Sequence, residues 1–555
     1  MAGQVTRHFL TLTGHWGTRQ VHYRRAGRGP LVLMLHQSPQ SSREMIPLMR
    51  AWAGDCTLVA PDSPGYGWSD PLPGEALTLE DFAAATLEFA DAIGATRFGI
   101  YGYHTGSSIG LLLAARYPER ISALAANGLI LPTAAERADL IEHYLPPLVP
   151  RWDGSHLAWA WARLREQAVF FPWYARAAAT RMDYDLPPPE RLQFALMELL
   201  GAGAHYASAY RGAFACRSEE QLPGLRVPTL VTAAPRDPLA AHLARIGAAP
   251  SCLRAEPAGD PDDALARCHR HLVQHPGESC GPPPATTAVP HRPWRQMVDA
   301  GTGRQLCWLR RGTPGDRPLL LLHGAARSAR AALAGTPALP GRELIAPDLP
   351  GHGASDGWDV LPADPLDDIV GQLSGSLAAA GLADCLLAGS EGGGLLALEL
   401  AARLGHAEAP LLVNPPLWTN GDRAAWRAAG LPPLTPQWHG GHLLEAWHMI
   451  RDGRLFYPWF LRERSAIRRG DPDLDEARLH AEVVDLLRAQ GTWQALLTRL
   501  LDYRWEDAAM LPGKERVVYV DPGLAASQGR FRPQPDHRLV TAHELPAAWL
   551  SLTAG

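Results

Sequence analysis

Two stretches of this chain, FGIYGYHTGSSIG (Phe98–Gly110) and CLLAGSEGGGLLALELAARLG (Cys385–Gly405), each run from an apolar strand through a glycine-bracketed turn into an apolar helix. A backbone turns this sharply from strand to helix only where Cβ atoms are missing, and the residue at the tip is strained, its side chain held over the sheet edge. The brackets are Gly102 and Gly106 around His104, and Gly389 and Gly393 around Glu391. Two such elbows call for two sheets.

The rest of the sequence repeats with them. At a shift of about 285 to 289 residues, the opening around Arg19 and Gln20 meets that at Arg304 and Gln305, and LVLMLHQSP (Leu31–Pro39) meets LLLLHGAAR (Leu319–Arg327). Both of the latter are uninterrupted apolar runs, as expected of strands buried on both faces of a parallel sheet. The loops DSPGYGWSD (Asp62–Asp70) and DLPGHGASD (Asp348–Asp356) follow, then the elbows, then strands ending at Asn127 and Asn414. Strands alternating with helices at this spacing predict doubly wound α/β units, with ligands at the carboxyl ends of the strands. The stretch LVQHPGESCGPPPATTAVPHRP (Leu272–Pro293) lacks periodicity and reads as an interdomain linker.

Length agrees, since 555 residues can bury two full cores without disulfides or metals. A net charge of -5 shows no basic excess, so neither nucleic acid nor an anionic membrane is an expected partner. The seven cysteines are scattered without a C-x-x-C pair, which argues for a reducing compartment and against a zinc cage. The start MAGQVTRHFL lacks a signal-peptide core, and no run of about 20 apolar residues occurs. A cytoplasmic protein is expected. With no clustered ligand set and no dinucleotide-type glycine loop, no metal and no cofactor are expected.

With the H-Q or H-G strand end, the D-x-P-G-x-G-x-S-D loop and the elbow in order, twice, each half resembles an α/β-hydrolase-fold protein with a helical cap inserted after the sixth strand. The implied architecture is α/β: two tandem hydrolase-like domains, each a mostly parallel doubly wound sheet with a helical cap. The domains are placed at 1–275 and 293–555, joined by a linker at 276–292, with caps near 130–220 and 416–508. They are expected to pack on each other, with further oligomerisation open.

Relatives place a serine at the elbow, an acid after the seventh strand and a histidine after the last, and the serine attacks a carbonyl. Here His104 and Glu391 replace the serine. Asp237 stands where the acid belongs in the first half, but only His269 and His271 follow its last strand, in an apparent helix and expected to cover the surface. His104 is therefore read as a base meeting Asp237 directly, with the N–H groups of Gln37 and Thr105 as an oxyanion hole. Ser107 and Ser108 should point into the helix. In the second half the resemblance makes Glu391 an elbow carboxylate like those that open epoxides or displace halide, with His543 and Asp521 as partners and Gly324 and Gly392 as oxyanion donors. That second site is the less expected to work.

The caps share PPLVPRWDGSHLAWAWARLR (Pro146–Arg165) and PPLTPQWHGGHLLEAWHMIR (Pro432–Arg451). One reading takes the tryptophans, Trp152 among them, as seals between cap and core. The other makes His36, Asp153, His156, Trp161 and Arg165, with His442, Trp447 and Arg451 in the second half, contacts for a small apolar or aromatic substrate. The function expected is general-base hydrolysis, or C–C or decarboxylative cleavage, without a serine nucleophile. A catalytically silent binding or scaffold protein is the alternative.

Overall fold

The computed structural model describes residues 3–503 apart from Tyr184, Ala248, Gly315, Asp316, Pro340, Ala407 and Leu417, together with the backbone of Arg516–Tyr519 and His537–Val540. The chain divides into two compact units, Met1–Val149 with Trp159–Val289, and Pro150–Ala158 with Pro290–Gly555. The first unit thus takes in residues 276–289 of the stretch read as a linker. Leu31 N–H donates to Glu278 O at 2.8 Å and Thr286 Oγ1 to Phe9 O at 2.7 Å, so residues 276–289 lie along its strands.

In the first unit, β1 (Thr6–Gly14) and β2 (Gly17–Ala26) form a hairpin beside β3 (Leu31–Leu35), β4 (Thr57–Pro61), β5 (Phe98–Tyr103), β6 (Ile121–Asn127), β7 (Thr229–Ala233) and β8 (Leu253–Pro257). The sheet order is β1-β2-β4-β3-β5-β6-β7-β8, parallel from β4 to β8. Helices α1 (Ile46–Trp52), α2 (Leu79–Ala92) and α3 (Thr105–Arg116) alternate with the strands. Between β6 and β7 come α4 (Ala134–His143), α5 (Ser155–Gln167), α6 (Pro189–Ala202), α7 (Ser208–Ala215) and α8 (Ser218–Gln221), and α9 (Pro261–Gln274) closes the unit. Its buried Ala264, Cys268, His271 and Leu272 fall at helical spacing, and Cys268 and Leu272 join Met34, Tyr101 and Ala125 in one core. His271 is therefore not a surface residue as expected, and His269 stacks on Trp52 at 5.0 Å.

The second unit holds β9 (Trp294–Asp299), β10 (Gln305–Arg311), β11 (Leu319–Leu322), β12 (Leu344–Pro347), β13 (Leu386–Ser390), β14 (Leu411–Val413), β15 (Arg516–Tyr519) and β16 (His537–Val540). Read from β9 the order is β9-β10-β12-β11-β13-β14-β15-β16, the same path as in the first unit. Its helices are α10 (Ala329–Ala334), α11 (Pro365–Ala379), α12 (Gly392–Leu404), α13 (Asn420–Ala429), α14 (Gly441–Leu455), α15 (Glu476–Arg488) and α16 (Thr492–Asp502). None of the described helices is long and apolar enough to cross a membrane.

Candidate active site

The glycine brackets follow from steric necessity. A Cβ on Gly102 would stand 2.5 Å from Gly106 O, and one on Gly106 would stand 2.0 Å from Leu35 O. Gly389 and Gly393 show the same approaches, 2.1 Å to Gly393 O and 2.2 Å to Leu322 O. Each tip residue sits at positive φ, 48° for His104 and 51° for Glu391, where L side chains are strained. His104 N–H donates to Asn127 O at 3.0 Å and Glu391 N–H to Val413 O at 2.8 Å, tying each tip to the neighbouring strand.

At the first elbow, His104 Nε2 lies 2.9 Å from Asp237 Oδ2. A carboxylate only accepts, so Nε2 carries the proton and Nδ1 is left as the basic nitrogen. Burial pushes the Asp237 carboxyl up, but His104 and the Leu239 N–H outweigh it and hold the group below the usual carboxylate range. Tyr103 flanks the imidazole at 4.2 Å between ring centroids. The space the ring occupies exists because residue 128 is glycine, at φ 71°: a Cβ there would lie 2.3 Å from His104 Cδ2.

Gln37 does not present an empty oxyanion hole. Its N–H points to Glu44 Oε2 at 3.4 Å and its Nε2 donates to Glu44 Oε1 at 2.5 Å, so a carboxyl stands at the expected hole. Burial pushes Glu44 up to about 7, against the hydrogen bonds from Gln37 and the nearby His104. No sequence signal marks Glu44, a single acid in a short helical turn. Thr105 opens α3 and its Oγ1 accepts from Ser38 N–H at 3.4 Å. Ser107 Oγ donates inward to Gly102 O and Asn127 O, away from any substrate. The cavity at this elbow holds about 40 Å³, edged by Phe171, Tyr210 and Phe214. That is room for about one water at ~30 Å³ each.

Several expected substrate contacts do other work. His36 is fully buried; Nδ1–H donates to Gln37 O and Nε2 accepts from Ser63 N–H, clamping the strand end to the following loop. Asp153 accepts from Ser155 N–H at 3.0 Å at the start of α5. His156 is buried, accepts from Arg151 N–H through Nδ1 and donates through Nε2 to His480 at 3.0 Å, in the segment that belongs to the second unit. Trp161 is 2% exposed and Trp152 67% exposed, so the first is core and the second seals nothing. Neither Trp161 nor Arg165 borders the cavity at His104. The buried arginine of α5 is Arg163, its guanidinium within 5.6 Å of the Tyr144, Trp173 and Tyr206 rings.

In the second unit Glu391 accepts from Arg327 Nη2 at 3.3 Å, and Arg327 Nη1 donates to Glu482 Oε2 at 2.6 Å. Arg454 also donates to Glu482. The Glu391 side chain lies against the α-carbon of Gly324, where a Cβ would meet its Oε2 at 2.6 Å, and a Cβ on Gly392 would meet Leu500. A cavity of about 220 Å³ borders Glu391 and Gly392. His442, Trp447 and Arg451 do not border it: His442 accepts from Gln437 N–H, Trp447 is fully buried, and Arg451 pairs with Asp452 at 3.8 Å. A wider hollow of about 790 Å³ is bordered by Arg327, Glu391 and Glu482 as well and reaches Leu321, Ala388 and Val413 on the sheet. His543 and Asp521 lie outside the described residues. Among the described residues no group of three His, Cys, Asp or Glu side chains is placed to hold a metal.

The profile of the alpha/beta hydrolase fold matches residues 30–248. The chain is 32% identical over 110 residues to the uncharacterized hydrolase YNR064C of Saccharomyces cerevisiae, a match covering 19% of this chain and 37% of the yeast protein. It is 25% identical over 191 residues to a soluble epoxide hydrolase of Corynebacterium sp., covering 34% of this chain and 63% of that one. The chain thus spans less than two thirds of either relative. Among solved structures, epoxide hydrolase A of Mycobacterium thermoresistibile aligns at a TM-score of 0.37 and 20% identity, over 48% of this chain and 98% of that one.

Proposed function

We propose, taking as premise that residues 30–248 have the alpha/beta hydrolase fold, that the first unit is a hydrolytic enzyme in which His104 acts as general base on water. The 2.9 Å contact between His104 and Asp237 carries this reading. Relatives named as epoxide hydrolases and a haloalkane dehalogenase support a small organic electrophile as the substrate class. The helices between β6 and β7 serve as its cap, and the second unit is a duplicated copy.

Nδ1 of His104 takes a proton from water as the water oxygen bonds to the electrophilic carbon, and Asp237 stabilises the imidazolium. The leaving oxygen takes a proton from Glu44, which stands where the Gln37 N–H would otherwise serve. A single ordered water fits the cavity, so a larger substrate requires the aromatic wall of Phe171, Tyr210 and Phe214 to part.

A panel of epoxides and esters assayed under single-turnover conditions in ¹⁸O water tests the mechanism. Label in the product of the first turnover agrees with it; unlabelled product, its oxygen drawn from an enzyme carboxylate, contradicts it. The size of the cavity favours one rival, a silent scaffold, for which no member of the panel would turn over.

A further inference from the structure

Arg7 and Arg24 stand directly opposite each other on β1 and β2, and both are buried, at 6% and 8% exposure. Like charges so placed weaken a strand pair, and a guanidinium taken out of water needs a partner. A third arginine, Arg43 in the helical turn before α1, adds to the same positive field. Its guanidinium lies 4.6 Å from the centroid of the Phe194 ring on α6 and 3.9 Å from Glu198 of the same helix.

The neighbouring acids do not balance the three. Asp62 is spent elsewhere: His22 Nδ1 and Trp68 N–H donate to its Oδ2, and Ser42 N–H to its Oδ1. Glu198 is the other, and three guanidiniums against two carboxylates leave one positive charge over. Neither Arg24 nor Arg43 finds a hydrogen-bond acceptor for its guanidinium among the described residues. Arg24 Nε is sealed off, whereas Nη1 and Nη2 stay open to solvent, and the Arg43 side chain is 52% exposed. Burial, and then Arg7, lower Arg24 to about 10.

Two open Nη donors on a side chain held still by its burial form the fork that receives two oxygens of one oxyanion. A carboxylate would be used up by that fork, whereas a phosphate has a third oxygen for Arg43. The surplus of one charge suits a monoanion, and the P–OH of a monoanionic phosphate can donate to Glu198. We propose that Arg24 and Arg43 bind a phosphate group, free or as a monoester, where the hairpin meets α6, with Glu198 accepting a hydrogen bond from its hydroxyl. The site is separate from the base at His104.

Calorimetric titration of the full chain at mildly acid pH with inorganic phosphate, phenyl phosphate and sulfate tests this. Phosphate binds at one site at least tenfold more tightly than sulfate, which has no proton to give Glu198, and Glu198→Gln narrows the gap. Arg24→Met and Arg43→Met each weaken phosphate at least tenfold, and His104→Ala leaves it unchanged. In phosphate-free buffer Arg24→Met melts no lower than wild type, because it removes one of two opposed charges and keeps the buried stem. Phenyl phosphate binding at the same site marks a monoester as the occupant, and its exclusion marks free phosphate; either agrees. No phosphate binding, sulfate held as tightly as phosphate, affinity indifferent to Arg24→Met, or binding lost with His104→Ala would each overturn the proposal, as would a melting temperature lowered by Arg24→Met.

Discussion

Nε2 of His104 and Oδ2 of Asp237 stand 2.9 Å apart over the bare α-carbon of Gly128. The glycine is thus part of the site. In Gly128→Ala the added Cβ would overlap the imidazole and hold an L residue at φ 71°, a strain of about 1–2 kcal/mol. Loss of turnover with a modest drop in melting temperature is expected; unchanged kcat would place the imidazole elsewhere during turnover.

Asp237→Asn keeps the shape and removes the charge that steadies the imidazolium. The rate should fall about 10²- to 10⁴-fold. The wild-type carboxyl lies below its ordinary value of 3.8, so its contribution to stability is present above that pH and is lost as pH falls through the folded value. Acid unfolding followed by circular dichroism should therefore flatten below pH 3.8 in the variant; an unaltered acid limb would show that the pair does not form.

Glu44 shifts the other way. With a folded value of about 7 against an ordinary 4.5, the group favours the folded state below pH 4.5 and loses that contribution as pH rises through 7. Urea melts should show wild type losing stability between pH 5 and 8 relative to Glu44→Gln. Parallel pH curves for the two proteins would contradict this assignment.

The two units differ in one buried pair. His22 Nδ1 donates to Asp62 Oδ2 at 2.8 Å, and with Ser42 N–H it outweighs burial, which alone would push the Asp62 carboxyl up, holding it well below the usual range. In the second unit Cys307 occupies the matching position, its N–H donating to Ser355 Oγ as His22 donates to Ser69 Oγ, and Asp348 is pushed up to about 6, chiefly by burial. His22→Ala leaves one partner of a buried pair alone and should destabilise the first unit by about 3–5 kcal/mol in urea melts at neutral pH. A change below about 1 kcal/mol would mean the pair is wet.

The elbows, the strand pattern and the reach from His104 to Asp237 could be read from the chain because they depend on local glycines and on strand order. Which face of a helix is buried could not. Arg163 and Arg165 lie two residues apart on α5, and only packing selects the first for the aromatic cage. His36 carries a binding-site signature at a strand end, yet both its ring nitrogens are consumed by backbone groups 1 and 27 residues away. The cavity beside Glu391 was illegible for the same reason: Trp418 and Trp493 come to border it together only through the fold.

The claim that His104 is the base is tested most directly by kcat on the best substrate of the panel for full-length wild type, His104→Gln and Glu391→Gln. His104→Gln is expected to lose about 100-fold or more, and Glu391→Gln to keep near wild-type turnover. Turnover that survives His104→Gln, or that disappears with Glu391→Gln, would contradict it.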